Sequence, residues 1–134
     1  MMSKKEATTS GMVVIGNFFL NSKPFCVLFD LGATHSFIST RSAMQLNLED
    51  RRVKTNYRIK LPNDYVIECP ISYELVPITI GGSTFPVDLI QFDLFHFDII
   101  LGINWLHTYG AKIDCEDLKV ILENEKGREV LFYV

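Results

Sequence analysis

Turn-forming clusters interrupt this chain so regularly that no long helix can be drawn through it. Asn21-Ser22-Lys23, Pro62-Asn63-Asp64 and Gly81-Gly82-Ser83 each stand between two apolar, β-rich runs: 12–20 and 24–30, 53–61 and 65–69, 71–80 and 84–90. Asn, Asp and Gly accept the left-handed backbone that a tight turn needs, so each cluster predicts a hairpin. Residues 97–101 are apolar apart from Asp98 and suit a buried strand, and 111–115, 119–123 and 129–134 complete the set. Two stretches depart from the pattern. Ser39 or Thr40 can cap a short helix running to about Leu46. Residues 102–109 read as a second helix, with Gly110 as its left-handed terminator. Many short strands and two short helices predict a mainly β chain, closed or nearly closed into a barrel.

Size and composition narrow the function classes. A length of 134 residues and a 48% apolar content fit one globular domain, predicted over 12–134 behind a polar, flexible leader at 1–11. The net charge of −3 offers no basic face to a nucleic-acid backbone. Cys26, Cys69 and Cys115 are an odd set without Cys-x-x-Cys spacing, which argues against a disulfide framework and against zinc. A reducing, cytoplasmic compartment follows from the same count. The first eleven residues lack the apolar run of a signal peptide. The most apolar window, 85–106, is broken by Asp88, Asp93 and Asp98, so no membrane span is expected.

The chain has no Gly-x-Ser-x-Gly, no phosphate-binding glycine loop and no His-Glu-x-x-His, and His35, His96 and His107 lack ligand spacing. Any enzymatic chemistry therefore rests on carboxylates, without metal or cofactor. Asp30 is the best placed. It ends the apolar run Cys26-Val27-Leu28-Phe29 and is followed by Gly32 and Ala33, small residues that let a substrate backbone approach. An aspartate at a strand end is also a common turn former, so position alone does not decide between the two roles. A short echo accompanies it: strand, Gly32, helix, and later strand, Gly102, helix, as in two pseudo-twofold halves.

The segment Val27-Leu28-Phe29-Asp30-Leu31-Gly32-Ala33-Thr34-His35-Ser36-Phe37 resembles the active-site segment of the retropepsin-like aspartic proteases of plant gypsy-type LTR retrotransposons. A second stretch, Phe97-Asp98-Ile99-Ile100-Leu101-Gly102-Ile103-Asn104-Trp105-Leu106, is similar to that family's later motif, and the likeness continues through Tyr109-Gly110-Ala111-Lys112-Ile113-Asp114-Cys115. It spans nearly the whole chain. The resemblance implies a retropepsin barrel with one lobe per chain. It also implies a homodimer in which Asp30 of each copy forms the catalytic pair, and a polypeptide substrate such as a retrotransposon polyprotein processed in the cytoplasm or in virus-like particles. Gly32 and Ala33 would line the substrate site, and Asn63, Asp64 and Tyr65 would contribute from a flap over it. Asp98 lies two residues further from its glycine than Asp30 does from Gly32, inside a strand rather than at its end, so a structural role is expected there.

One position departs from the family pattern. Leu31 stands where such proteases carry Ser or Thr, whose hydroxyl ties the two active-site loops together across the dimer axis. Three readings follow: an active endopeptidase, a retropepsin-fold dimerisation or peptide-binding module impaired in catalysis, and a β-barrel binding domain unrelated to proteases.

Overall fold

The computed structural model describes residues 13–20, 22–60, 63–94, 96–114 and 116–133, so the leader predicted over 1–11 lies outside the described residues. The chain opens with a hairpin, β1 (Val13–Leu20) and β2 (Lys23–Asp30), paired in register from Val13↔Asp30 to Leu20↔Lys23. Along β1, Phe18 and Leu20 are buried while Asn17 and Phe19 face water, the period of two that fixes which face packs inward. A short β3 (Phe37–Ile38) leads into α1 (Thr40–Leu46). Ser39 is the cap, its Oγ accepting from the Ser42 N–H at 3.1 Å, and Asn47 ends the helix at φ 58°. A 3-10 turn (Glu49–Arg51) then enters the long hairpin of β4 (Arg52–Lys60) and β5 (Val66–Ile80).

Strand β5 corrects the expected division into 65–69 and 71–80. It runs unbroken through Pro70, because Pro70 falls where the β4 register shifts between Lys54 and Tyr57. A residue without an N–H fits a strand at such an irregularity. Thr55, on the bulged side, donates its hydroxyl to the Cys69 carbonyl at 3.1 Å. A second shift, against β6 (Ser83–Gln91), lies between Tyr73 and Val76 and puts Leu75 at φ 52°.

The chain ends with β7 (Ile99–Leu101), α2 (Ile103–Thr108), β8 (Lys112–Asp114), β9 (Lys119–Glu123) and β10 (Glu129–Tyr133). Gly110, at φ 56°, follows α2 and donates to the His107 carbonyl, so the predicted terminator is in place. Seven strands form one sheet in the order β1-β2-β7-β3-β6-β5-β4, and the last three form another, β10-β9-β8. Among the described residues no ladder closes the larger sheet on itself. The smaller sheet packs across it instead. Phe132 stacks on Phe18 at 4.2 Å, and Val120 and Leu122 join Phe29, Phe85, Leu101 and Trp105 in the core. Among the described residues the chain is mainly β with two short α-helices, as its turn punctuation predicts, and no described helix is long and apolar enough to cross a membrane.

Candidate functional site

The loop after β2 gathers the first group of expected site residues. Phe25, Val27 and Phe29 bury one face of the strand, which leaves Asp30 at its end, half-exposed. Asp30 closes its own turn twice. Its carbonyl accepts from the Ala33 N–H at 3.2 Å, and its Oδ1 accepts from the Gly32 N–H at 2.8 Å. Among the described residues Oδ2 has no hydrogen-bond partner. A Cβ placed on Gly32 would stand 3.1 Å from that Oδ1, so glycine is what lets the carboxylate lie over the turn.

What holds the loop comes from the far end of the chain. Strand β7 pairs in parallel with β2, Val27↔Ile99 through Phe29↔Leu101, and delivers Gly102 beneath the loop. The Gly102 N–H donates to Ser36 Oγ at 2.9 Å, Ser36 donates to Asn104 Oδ1 at 2.9 Å, and the Ile103 N–H donates to the Ala33 carbonyl at 2.7 Å. A Cβ on Gly102 would overlap the His35 carbonyl oxygen outright and lie 2.7 Å from that of Ala33. Gly102, Ser36 and Asn104 thus position the Asp30 turn. Sequence reasoning marked Gly102 only as the glycine of a repeated strand–glycine–helix unit and gave Ser36 and Asn104 no role. The available signal was that all three fall inside the two motif segments, which the parallel pairing of β2 and β7 brings side by side.

Asp98 is part of the scaffold. Its Oδ2 accepts from the Cys26 N–H at 2.7 Å and its Oδ1 from the Ser42 hydroxyl at 2.9 Å, with the Arg41 guanidinium 3.5 Å away. These bonds pin β2 to α1 two residues before β7 reaches the level of Leu28. Burial, and then the Asp98 charge, push the Cys26 thiol above its ordinary pKa. Leu31 is half-exposed and leans on the core. His35, also half-exposed, lies with Nδ1 2.9 Å from Thr34 Oγ1 and meets the edge of Tyr57 at a ring separation of 5.4 Å.

The second group of expected residues sits together on the tip of the β4–β5 hairpin. Asn63, Asp64 and Tyr65 are all exposed. Asp64 adopts φ 68°, Asn63 Oδ1 accepts from the Tyr65 N–H at 3.3 Å, and Lys60 reaches Asp64 at 3.4 Å. No hydrogen bond joins this tip to the Asp30 loop among the described residues. His35 against Tyr57 is a contact between the loop and the hairpin.

Between them the sheet presents a continuous face. Register partners place Leu28, Ile100, Phe37, Ile90, Ser72 and Val53 in one row across six strands. Near its edge, β5 and the β6–β7 connection line an open cleft of about 640 Å³, with Ile67, Cys69, Phe92, Leu94 and Phe97 as its apolar walls and Glu68, Asp93 and His96 among its polar ones. Phe92 packs edge-on against Phe37 at 5.8 Å. Among the described residues no group of three or more His, Cys, Asp or Glu side chains is arranged to hold a metal.

A family profile described as retroviral aspartyl protease matches residues 1–128. Among curated proteins, no sequence matches the chain. Among solved structures, the chain is similar to the retroviral protease-like domain of Ddi1 from Leishmania major, with a TM-score of 0.64 and 15% identity over 90% of each chain. It is also similar to a retropepsin-like aspartic protease from Rickettsia conorii, with a TM-score of 0.54 and 18% identity over 90% of this chain and 83% of the other. At such identities the structural likeness speaks for the fold. The family rests on the profile, which takes in both the Asp30 turn and the β7–α2 segment that braces it, and by that match the chain belongs to the retroviral aspartyl protease family as a retropepsin-like domain.

Proposed function

We infer that the protein is an aspartic endopeptidase that works as a homodimer, each copy bringing Asp30 to a shared twofold axis. The observation that carries this reading is the Asp30 turn itself: a strand-end carboxylate with one oxygen fixed by Gly32 and the other without a partner among the described residues, on a loop braced by Gly102, Ser36 and Asn104. One chain offers one such carboxylate, since Asp98 is committed to Cys26 and Ser42. Two carboxylates about 3 Å apart cannot both ionise easily and share a proton. The ionised member takes a proton from a water that attacks the scissile carbonyl, and the protonated member donates to the carbonyl oxygen. Titration then belongs to the pair. Gly32 and Ala33 supply backbone beside the substrate. The β4–β5 hairpin acts as a flap whose tip, Asn63, Asp64 and Tyr65, closes on the peptide and excludes water. The apolar row and the apolar walls of the open cleft suit apolar side chains in that peptide. A polyprotein encoded with the protease, processed in the cytoplasm or in virus-like particles, is the substrate this reading favours.

A second reading rests on Leu31. Leucine donates no hydrogen bond, so a dimer axis built on it lacks the tie a hydroxyl gives. A peptide-binding or dimerisation module with the same fold would keep the groove and lose turnover. Cleavage of a mixed peptide library by the wild-type protein and by Asp30→Asn separates the two. A protease loses at least about a hundredfold in rate when its acid–base carboxylate becomes an amide. A folded, dimeric wild-type protein that cleaves nothing would leave the module.

A further inference from the structure

A small polar cleft lies between the Asp30 loop and the base of the flap hairpin, on the row of side chains described above. Its volume is about 140 Å³, and His35, Thr55, Tyr57, Ser72, Glu74 and Asp88 line it. That is well under the roughly 300–1,000 Å³ of a small-molecule pocket, so it has room for a single side chain. Three features define what that side chain carries. Two carboxylates, Glu74 on β5 and Asp88 on β6, face the cleft, and among the described residues no lysine or arginine lines it. Asp88 Oδ1 accepts from the Leu75 N–H at 2.9 Å, while its Oδ2 and the Glu74 carboxylate have no hydrogen-bond partner among the described residues. Ser72, in the floor, is only 7% exposed, and its hydroxyl likewise has no partner among the described residues. A buried hydroxyl left unpaired costs free energy that an incoming donor recovers. Thr55 is already engaged with the Cys69 carbonyl, so it does not fill that role.

We propose that this cleft is a specificity subsite that seats a lysine or arginine side chain of the polypeptide substrate. The cationic head pairs with Glu74 and Asp88 Oδ2 and donates to Ser72, while the stem lies along Val53 and Ile90. The subsite opens beside His35, five residues past Asp30 in the same loop, so an extended peptide held against the row runs past it. This rests on the proteolytic reading for the groove that holds the peptide, and it adds a charge preference that an apolar groove does not supply.

The test uses the full chain carrying Asp30→Asn, so that binding is read independently of cleavage. Fluorescent peptides in which one lysine is walked along the sequence are each paired with a norleucine twin, which keeps the stem and removes the charge. At one position, lysine should bind about two- to fivefold more tightly than norleucine, as ion pairs to the exposed carboxylates of Glu74 and Asp88 allow. That ratio should fall in Glu74→Gln, drop to one or below in Glu74→Lys, and shrink with added salt. Equal binding of lysine and norleucine at every position, or no binding of any peptide, overturns the subsite. A lysine preference in a wild-type protein that cleaves nothing keeps the subsite and overturns the protease.

Discussion

At Gly102 the hydrogen that takes the place of a side chain faces two carbonyl oxygens of the Asp30 loop, those of Ala33 and His35. Both are backbone and neither can rotate away, so Gly102→Ala forces the loop and β7 apart. The expected loss is about 1–3 kcal/mol, seen as a lower urea midpoint. Gly32 sets a contrasting case. Its neighbour is the Asp30 carboxylate oxygen at 3.1 Å, a side chain on an exposed turn. Gly32→Ala should leave the free energy of unfolding within about 0.5 kcal/mol of wild type and lower peptide cleavage, because only the carboxylate shifts. Asp30 itself was legible in the sequence, since an apolar run that stops at an aspartate and two small residues is a local pattern. The Ser36–Asn104 bond was not, because it depends on which distant strand lies alongside β2.

Among the described strands, β5 is the one that carries a non-glycine residue at positive φ. Leu75 sits at φ 52° with its side chain exposed, its N–H held by Asp88 and its carbonyl accepting from Arg51 at 2.8 Å. A left-handed L-residue costs roughly 1–2 kcal/mol, of which glycine's greater freedom in the unfolded chain takes back about half. Leu75→Gly should therefore raise stability by about 0.5 kcal/mol, and Leu75→Val, β-branched at positive φ, should lower it by about 1 kcal/mol or more. Paired denaturation curves with unchanged slopes would check both. Hairpin tips and helix caps were readable from single turn residues such as Ser39 and Gly110. The unbroken passage through Pro70 was not, because proline marks a strand end unless a partner strand supplies a bulge at that place.

For the molecule as a whole, the mainly β character followed from the spacing of turns. The division into a seven-stranded and a three-stranded sheet did not, since sequence patterns give each strand a face but not a neighbour. In the homodimer reading, Leu31 stands where two copies meet. Leu31→Ser restores a hydroxyl to each loop, and two bonds of about 0.5–1.5 kcal/mol each should tighten the dimer by roughly five- to a hundredfold, measured by sedimentation. No change on that substitution would place Leu31 away from the axis. The parallel pairing of β2 with β7 has a further consequence, in time rather than in space. Asp98 reaches back across 72 residues to Cys26, and the brace for the Asp30 turn follows directly behind it. At a synthesis pace of about 5–20 residues per second, β2 waits roughly four to fourteen seconds for its partner to be made. Until then the carboxylate rides on a loop with no floor, so a chain still on the ribosome holds its one candidate catalytic group without the means to aim it.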